Sequence, residues 1–505
     1  MLNKMKSRLF SGKKISYILA VILLSTLIIP QLCPAQSITF GSEYVFNSYD
    51  TWSTSVIALD ENNVLIAYQN RGNFYYGTAV IATISGQTIS FGPEYVFTNG
   101  RAFEFSPAAL DANNVLIAYR DDNDLHHGTA IIATISGQTI SFGPQYVFNS
   151  ALTSNLTATT IDENNVLIAY YNDLEPQGSA KIATISGDTI SFGEEYVFNI
   201  NDEYIAKWLS ATTINENNVL IAYQEFHWPT FTYNGSAIIA TISGDSISFG
   251  NKYGFNSGAK TGQSSATTLD EHHVLIAYRD GGNYWYGTAI IARISGQLIS
   301  FGPEYIFNNA DINYPSATAL DATHALIAYR DEGNYQYGTA IIATTSGQYG
   351  EIISFGTEYV FNGNTKELSA TIFDANNALI AYQDTENLSY GKAIVAEISN
   401  VSVTPGDENE YRFSENKLIN YPNPFTSSTT IEYGIKSKLK TEPIEIRVYN
   451  VMGRLVKTII ATNGFAQLNL SNLPTGIYLY KFGTEKYNEV KKMVLMRYGV
   501  NVKIR

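Results

Sequence analysis

Cysteine is nearly absent: Cys33 is the only one in 505 residues. That excludes a disulfide framework and a cysteine-built zinc site. Methionine is scarce as well, with five, and charged residues make up only 15%. With 45% hydrophobic residues the chain can build a real core, so general disorder is excluded. Basic residues are outnumbered 32 to 46, giving a net charge of −14, which argues against a nucleic-acid binder. The six histidines show no His-x-x-x-His spacing, and no Asp-x-Asp-x-Asp-Gly loop occurs. Neither a metal nor a cofactor is expected. What the chain has in quantity is aromatic side chains, 36 Tyr and 25 Phe, which favour strands over helices.

The charge is unevenly placed. Residues 1–35 carry +5, residues 418–505 hold 13 basic against 5 acidic side chains, and the stretch between them is left with −27. At the start Lys4, Lys6, Arg8, Lys13 and Lys14 precede an apolar run from Ile15 to Ile29, and Cys33-Pro34-Ala35 offers small residues before Gln36. This reads as a signal peptide over 1–35, too short and wrongly flanked for a membrane anchor. The mature chain would then have no cysteine and no integral membrane segment.

The length fits two to four domains, or one repeat body with a smaller module. Repetition decides between these. Ile-Ser-Phe-Gly or a close variant begins at 38, 89, 140, 190, 247, 299 and 353, and Ile-Ala-Tyr at 66, 117, 168, 221, 276, 327 and 380. Each repeat has four short apolar runs, in the second Ser106–Leu110, Val115–Tyr119, Thr129–Ile135 and Ile140–Phe148. The breaks are too short for helices and rich in Asn, Asp and Gly. Four strands in each of seven repeats predict an all-β, seven-bladed β-propeller over 36–399, with a linear solenoid as the alternative. Ile38–Phe46 has no blade before it, and the last repeat has no fourth strand after Ala393–Ser399. The N-terminal strand is therefore expected to close the ring.

Alternate connections of such a meander lie on opposite faces. One face is monotonous, with turns such as Asp60-Glu61-Asn62-Asn63 and Asp162-Glu163-Asn164-Asn165, and His272, His273 and His324 fall on it. The other varies from repeat to repeat and carries all four Trp: Trp52, Trp208, Trp228 and Trp285. Tyr75, His126, His127, His227 and Tyr335 share it. Arg-Asp-x-x-Asn occurs there twice, as Arg279, Asp280 and Asn283 beside Trp285, and as Arg330, Asp331 and Asn334 beside Tyr335. A guanidinium, a carboxylate and an amide next to a ring suit sugar hydroxyls and their apolar C–H faces. The same residues also make ordinary turn chemistry, with Arg pairing Asp.

These features predict a non-catalytic binding module for glycans, or for a surface protein through the same face. A polysaccharide-degrading enzyme is a third reading; its acid or base would be His227 or Tyr233 in the fourth repeat. The repeats resemble those of uncharacterised bacterial β-propeller proteins, a resemblance that brings no activity with it.

Beyond a polar linker at 400–417 the pattern changes. Tyr421-Pro422-Asn423-Pro424-Phe425 is followed by Val448-Tyr449-Asn450-Val451-Met452-Gly453, by Leu473-Pro474-Thr475-Gly476-Ile477-Tyr478, and by Lys491-Lys492-Met493-Val494-Leu495. Period-2 alternation through these runs predicts a small β-sandwich. The segment 418–505 resembles the C-terminal sorting domain of type IX secretion system substrates. That resemblance implies the secretion machinery as partner, Sec export followed by outer-membrane translocation, and a secreted or cell-surface location. Arg497–Arg505 extends past the strand on which such domains finish.

Overall fold

The tyrosines of the seven Ile-Ala-Tyr motifs are the best-buried large side chains in the protein. Tyr68, Tyr119, Tyr170, Tyr223, Tyr278, Tyr329 and Tyr382 are all fully inaccessible. Each sits in the second strand of its repeat and meets a Phe from the outer strand of the preceding repeat. Examples are Phe97 on Tyr119, Phe255 on Tyr278 and Phe361 on Tyr382, with ring centroids 5.2–5.7 Å apart. Phe46, from the start of the described chain, meets Tyr68 in the same way at 5.0 Å. Such tilted and edge-on contacts are the favoured geometry for aromatic pairs. They explain the Gly two residues before each buried Ala: a Cβ on Gly391 would lie 2.4 Å from the Phe46 ring.

The computed structural model describes residues 36–400 and 417–495, except 174, 176, 200–203, 228–229, 257–259, 348–351, 422–427, 435–443, 452, 462–464 and 485–486. The expected signal peptide, most of the linker and the extension after Leu495 lie outside the described residues. Among those described there is no α-helix, and none long and apolar enough to cross a membrane. The protein is all-β and consists of antiparallel sheets. It divides into two compact units, Met1–Ser402 and Val403–Arg505.

In the first unit each repeat is an antiparallel meander. Repeat 5 runs Thr261–Asp270, His273–Asp280, Tyr286–Ser295 and Leu298–Phe301, each strand pairing with the next. The fourth strand is broken, against the single run expected from the sequence: in repeat 2 it is Thr139–Phe142 and then Tyr146–Asn149. The Gly at the break is crowded by the next repeat. A Cβ on Gly92 would come within 2.9 Å of Gln138. The first strand begins earlier than expected in some repeats; Tyr95–Ala109 is continuous with the outer strand of repeat 1.

Neighbouring inner strands are joined by one recurring bond, from a backbone N–H to a Ser or Thr of the preceding repeat. Ala158 donates to Ser106, Ala211 to Thr157, Ala266 to Ser210, Ala317 to Ser265 and Ala370 to Ser316, at 2.8–3.3 Å. Val56 of the first repeat donates to Ser369 of the last at 3.3 Å. The remaining step would need an N–H at Pro107, which has none.

Gln36–Phe40 pairs antiparallel with Tyr390–Asn400, Ile38 opposite Ile398, and Tyr44 continues the pairing at Ala393. A polar cluster fastens this junction. Glu43 accepts from Tyr382 Oη and Asn362 Nδ2, both at 2.8 Å, and from Lys392 Nζ at 2.7 Å, while Lys392 also reaches Asp384 at 2.6 Å. The other six repeats have Thr or Ser where Lys392 stands. Burial pushes the Glu43 and Asp384 carboxyls up, but their hydrogen bonds, those from Lys392 foremost, outweigh it and hold both below the usual range. Burial likewise lowers the Lys392 ammonium, and its bonds to Asp384 and Glu43 more than reverse that. The two carboxylates therefore stabilise the fold fully above the ordinary carboxylate pKa and lose that effect as pH falls through their depressed folded values. The raised lysine contributes fully below its ordinary pKa and loses the effect as pH rises through the folded one. Lys392→Met should cost about 3–5 kcal/mol near neutral pH, since it strands two carboxylates. In urea unfolding at several pH values, the deficit should shrink in acid, where the wild type loses the same bonds. A deficit independent of pH would show that Lys392 acts through packing alone.

In the second unit Lys417–Tyr421, Ser428–Gly434 and Phe465–Asn469 form one sheet. Leu455–Ala461, Ile444–Asn450, Gly476–Thr484 and Tyr487–Leu495 form another. A single apolar core draws Ile431 and Leu468 from the first sheet and Ile446, Val448, Tyr480 and Met493 from the second.

Candidate ligand-binding face

Every inner strand of the first unit carries a bulge two residues before the Ser or Thr that joins the repeats. One strand has an extra residue there, as between Trp52 and Ser55 or between Asn313 and Ser316. The bulge positions in chain order are Ser53, Glu104, Asn155, Trp208, Gln263, Tyr314 and Glu367. Six of them have φ between 48° and 55°, a conformation unfavourable for L-residues that bulges impose. The side chain of one repeat often accepts from the bulge N–H of the next: Glu104 from Asn155, Asn155 from Trp208, Gln263 from Tyr314 and Glu367 from Ser53. Burial pushes the Glu104 and Glu367 carboxyls up, against Arg120 beside Glu104 and the Ser53 N–H on Glu367.

Outside the bulges, repeats 1 and 2 carry a stack of alternating rings and guanidiniums. Arg71 lies 4.9 Å from both Trp52 and Tyr75, Arg101 lies 4.6 Å from Tyr75 and 5.7 Å from Phe103, and Arg120 lies 5.1 Å from Phe103. Asp50 binds Arg71 at 2.6 Å and the Trp52 indole N–H at 2.9 Å. Trp52 and Tyr75, both sequence candidates, are thus already faced by cations, Tyr75 by two, and are not bare platforms for a sugar.

Repeats 4 and 5 differ. Between them lies a cavity of about 300 Å³ whose aromatic wall is Trp208, Tyr233 and Trp285. Gln224, Gln263 and Asn313 contribute amides, Lys260 and Arg279 the charge, and Gly262 part of the floor. The Trp208 side chain, held at the bulge with φ 51°, is 46% exposed. Trp285 is half-buried rather than the exposed platform expected from the sequence. Arg279 lies over it at 4.3 Å, and a Cβ on Gly281 would meet its edge at 2.7 Å. Tyr284 is the outward ring of that loop, 80% exposed.

The other sequence candidates divide between exposed positions and positions tied into the fold. Arg279 pairs not with Asp280 but with Asp311, through Nε at 2.7 Å and Nη2 at 2.9 Å. Asp280 is buried and accepts from Gly282 N–H and Asn256 Nδ2; Asp331 is buried and accepts from the Gly333 and Asn334 N–H groups and Asn308 Nδ2. Both carboxylates are spent on turns, with Asn283 and Asn334 ending the short 3-10 segments they cap. Arg330 is buried against Glu332 at 3.0 Å, and Tyr335 is 80% exposed. His126 and His127 meet Asp122 and Asp124 at 2.7 and 3.1 Å, and His227 meets Thr230 at 2.5 Å. Trp228 lies outside the described residues.

Sequence reasoning missed Gln263, Lys260, Gln224 and Asn313, and with them the two bulge glutamates. Aligning the seven inner strands on their shared Ser or Thr would have exposed the bulge set. On the opposite face the turns are uniform, and Asn114 hydrogen bonds hold the Asp111 carboxyl below its usual range.

In the second unit Tyr421 ends its strand, and Pro422, Asn423, Pro424 and Phe425 lie outside the described residues. Gly453, at φ 77°, turns the chain between two strands, where its N–H donates to Asn450 O at 2.9 Å. Pro474 O accepts from Tyr478 Oη at 2.6 Å, Gly476 opens the next strand, and Lys491 and Lys492 are exposed on the last.

Comparison with curated proteins gives no match. Among solved structures, a protein of unknown function from Dyadobacter fermentans DSM 18053 is 12% identical, with 72% of this chain and 99% of that chain covered and a TM-score of 0.47. A prolyl endopeptidase structure is 9% identical, with 74% and 59% covered and a TM-score of 0.39. Likenesses of that size carry no argument here. The C-terminal strands are a different matter, because residues 420–496 match the family model of the secretion system C-terminal sorting domain. This protein therefore carries a type IX sorting domain and is exported, either released or held at the cell surface.

Proposed function

We propose that residues 36–399 form a closed seven-bladed β-propeller that binds carbohydrate, without catalysis, on its variable face. A signal peptide at 1–35 serves Sec export, 400–417 is a linker, and 418–505 engages the secretion machinery. Closure is supported by the junction of first and last repeats, which repeats the Phe–Tyr seam and the N–H to Ser bond found between consecutive repeats. The observation that carries the binding reading is the bulge set. Positions equivalent in geometry hold Ser, Glu, Asn, Trp, Gln, Tyr and Glu, whereas the residue two further on is always Ser or Thr. Variation at and around one bulge of a repeated scaffold, beside an invariant Ser or Thr, suits a ligand-facing set, and the Trp208 cavity gives it depth.

A glycan array probed with the mature chain tests this. For a ligand found there, Trp208→Ala should lose about 1–3 kcal/mol of binding, as for a buried interface aromatic. Thermal unfolding should barely move, because the ring is half exposed. His272→Ala, on the opposite face, should alter neither. Normal binding by a Trp208→Ala protein that unfolds early would make the ring a structural cap.

One observation favours a protein ligand instead. Phe74, Leu125, Tyr284, Tyr335 and Leu388, at the tips of their loops, are 75–80% exposed, with φ between 52° and 55°. A protein seated on these tips would be lost in Tyr284→Ser with Tyr335→Ser and retained in Trp208→Ala.

A further inference from the structure

The charge of the repeat region is strongly negative, yet the cavity between repeats 4 and 5 is lined by no carboxylate. Elsewhere on the same face three arginines are matched: Arg71 by Asp50, Arg120 by Glu104 and Asp122, and Arg330 by Glu332. Arg279 is matched too, its Nε and Nη2 being taken by Asp311.

Lys260, the other cation of the cavity, has no such partner. It is exposed, and among the described residues no carboxylate lies within ion-pair distance of it. Its base is fixed, because Lys260 O accepts from Gly281 N–H at 2.6 Å and a Cβ on Gly281 would press on Lys260 Cβ at 2.7 Å. Its ammonium stands 5.8 Å from the centre of the Tyr233 ring, within reach of a cation–π attraction. Beside it Gln263 spends only its oxygen, on Tyr314 N–H, and Gln224 only its Nε2, on Thr261 O. The Gln263 amide nitrogen and the Gln224 amide oxygen remain for a ligand, one donor and one acceptor.

We propose that this cavity selects an acidic saccharide, a hexuronate unit. Its ring lies on Trp208, its hydroxyls bond Gln263 and Gln224, and its carboxylate meets Lys260. This rests on the saccharide-binding reading and gives it a ligand class. The ammonium is the only cation lining the cavity without a carboxylate partner, so a neutral sugar would leave it unanswered and a uronate would pair it. The net negative charge of the repeat region opposes binding of an acidic sugar where no such cation stands.

The test is calorimetric titration of the mature chain with a hexuronate oligosaccharide and with the neutral hexose oligomer of the same linkage. The uronate should bind about tenfold more tightly at low salt, and the preference should narrow as salt rises. Lys260→Gln should bring the two affinities together, the uronate losing about tenfold more than the neutral oligomer. Trp208→Ala should weaken both. Equal affinities in the wild type, or a uronate preference that survives Lys260→Gln, would overturn the assignment while leaving saccharide binding intact. Failure to bind either oligomer overturns the underlying reading as well.

Discussion

Removing residues 36–47 should lower the melting temperature of the first unit by on the order of 10 °C, far more than a typical terminal deletion. Three losses add up. Ile38 and Phe46 are almost fully buried, and losing each burial costs about 1.5–3 kcal/mol. Glu43 leaves with them, so the Tyr382 hydroxyl and the Lys392 ammonium lose a part-exposed acceptor, which costs about 1–3 kcal/mol. The outer edge of Tyr390–Asn400 is also uncovered, and an unpaired apolar edge invites association between molecules. A synthetic peptide covering 36–47, added in excess, should restore much of the lost stability by refilling the place. Scanning calorimetry with and without the peptide measures both effects. An unchanged melting temperature after the deletion would falsify the closure reading.

Deleting residues 420–496 should abolish delivery to the surface or medium while leaving the repeat unit folded. The two units hold separate apolar cores: Ile431, Ile446, Tyr480 and Met493 belong to one cluster with no member from the repeats. Export then depends on the segment that matches the sorting domain, and stability of the repeats does not. Fractionation of cells that carry a type IX apparatus should show the truncated chain retained inside. Full secretion of a truncated chain with an unchanged melting curve would mean that export runs through some other part of the protein.

The repeat was legible because its chemistry is redundant. Seven copies of Ile-Ala-Tyr announce a strand buried on both sides, and all seven tyrosines are inaccessible. The signature of residues 421–425, 448–453 and 473–478 was equally direct, since a sorting domain has to be read by one machinery. What stayed hidden depends on pairing across repeats. Arg279 has Asp280 beside it in sequence, but strand alternation sends those side chains to opposite faces, and Asp311 from the next repeat takes the guanidinium. Trp52 and Tyr75 look like sugar platforms until Arg71 and Arg101 are placed on them. The bulge beside Trp208 leaves no local mark, because it shows only as a register shift against Asn218–His227. Gln263 and Lys260 are ordinary polar residues in a chain, and only a cavity between repeats gives them a role.

The central claim, that the variable face binds sugar at the repeat 4–5 cavity, is tested most directly by tryptophan fluorescence during oligosaccharide titration. Of the three described tryptophans, Trp52 and Trp208 lie on strands and Trp285 in a loop, and Trp208 is the most exposed. A sugar ring settling on it should shift and saturate the emission of the wild-type chain. In Trp208→Ala the change should be lost and the affinity measured by calorimetry should fall. The opposite result, an unchanged affinity in Trp208→Ala with the spectral response of the wild type intact, would place any sugar elsewhere and contradict the assignment of this cavity.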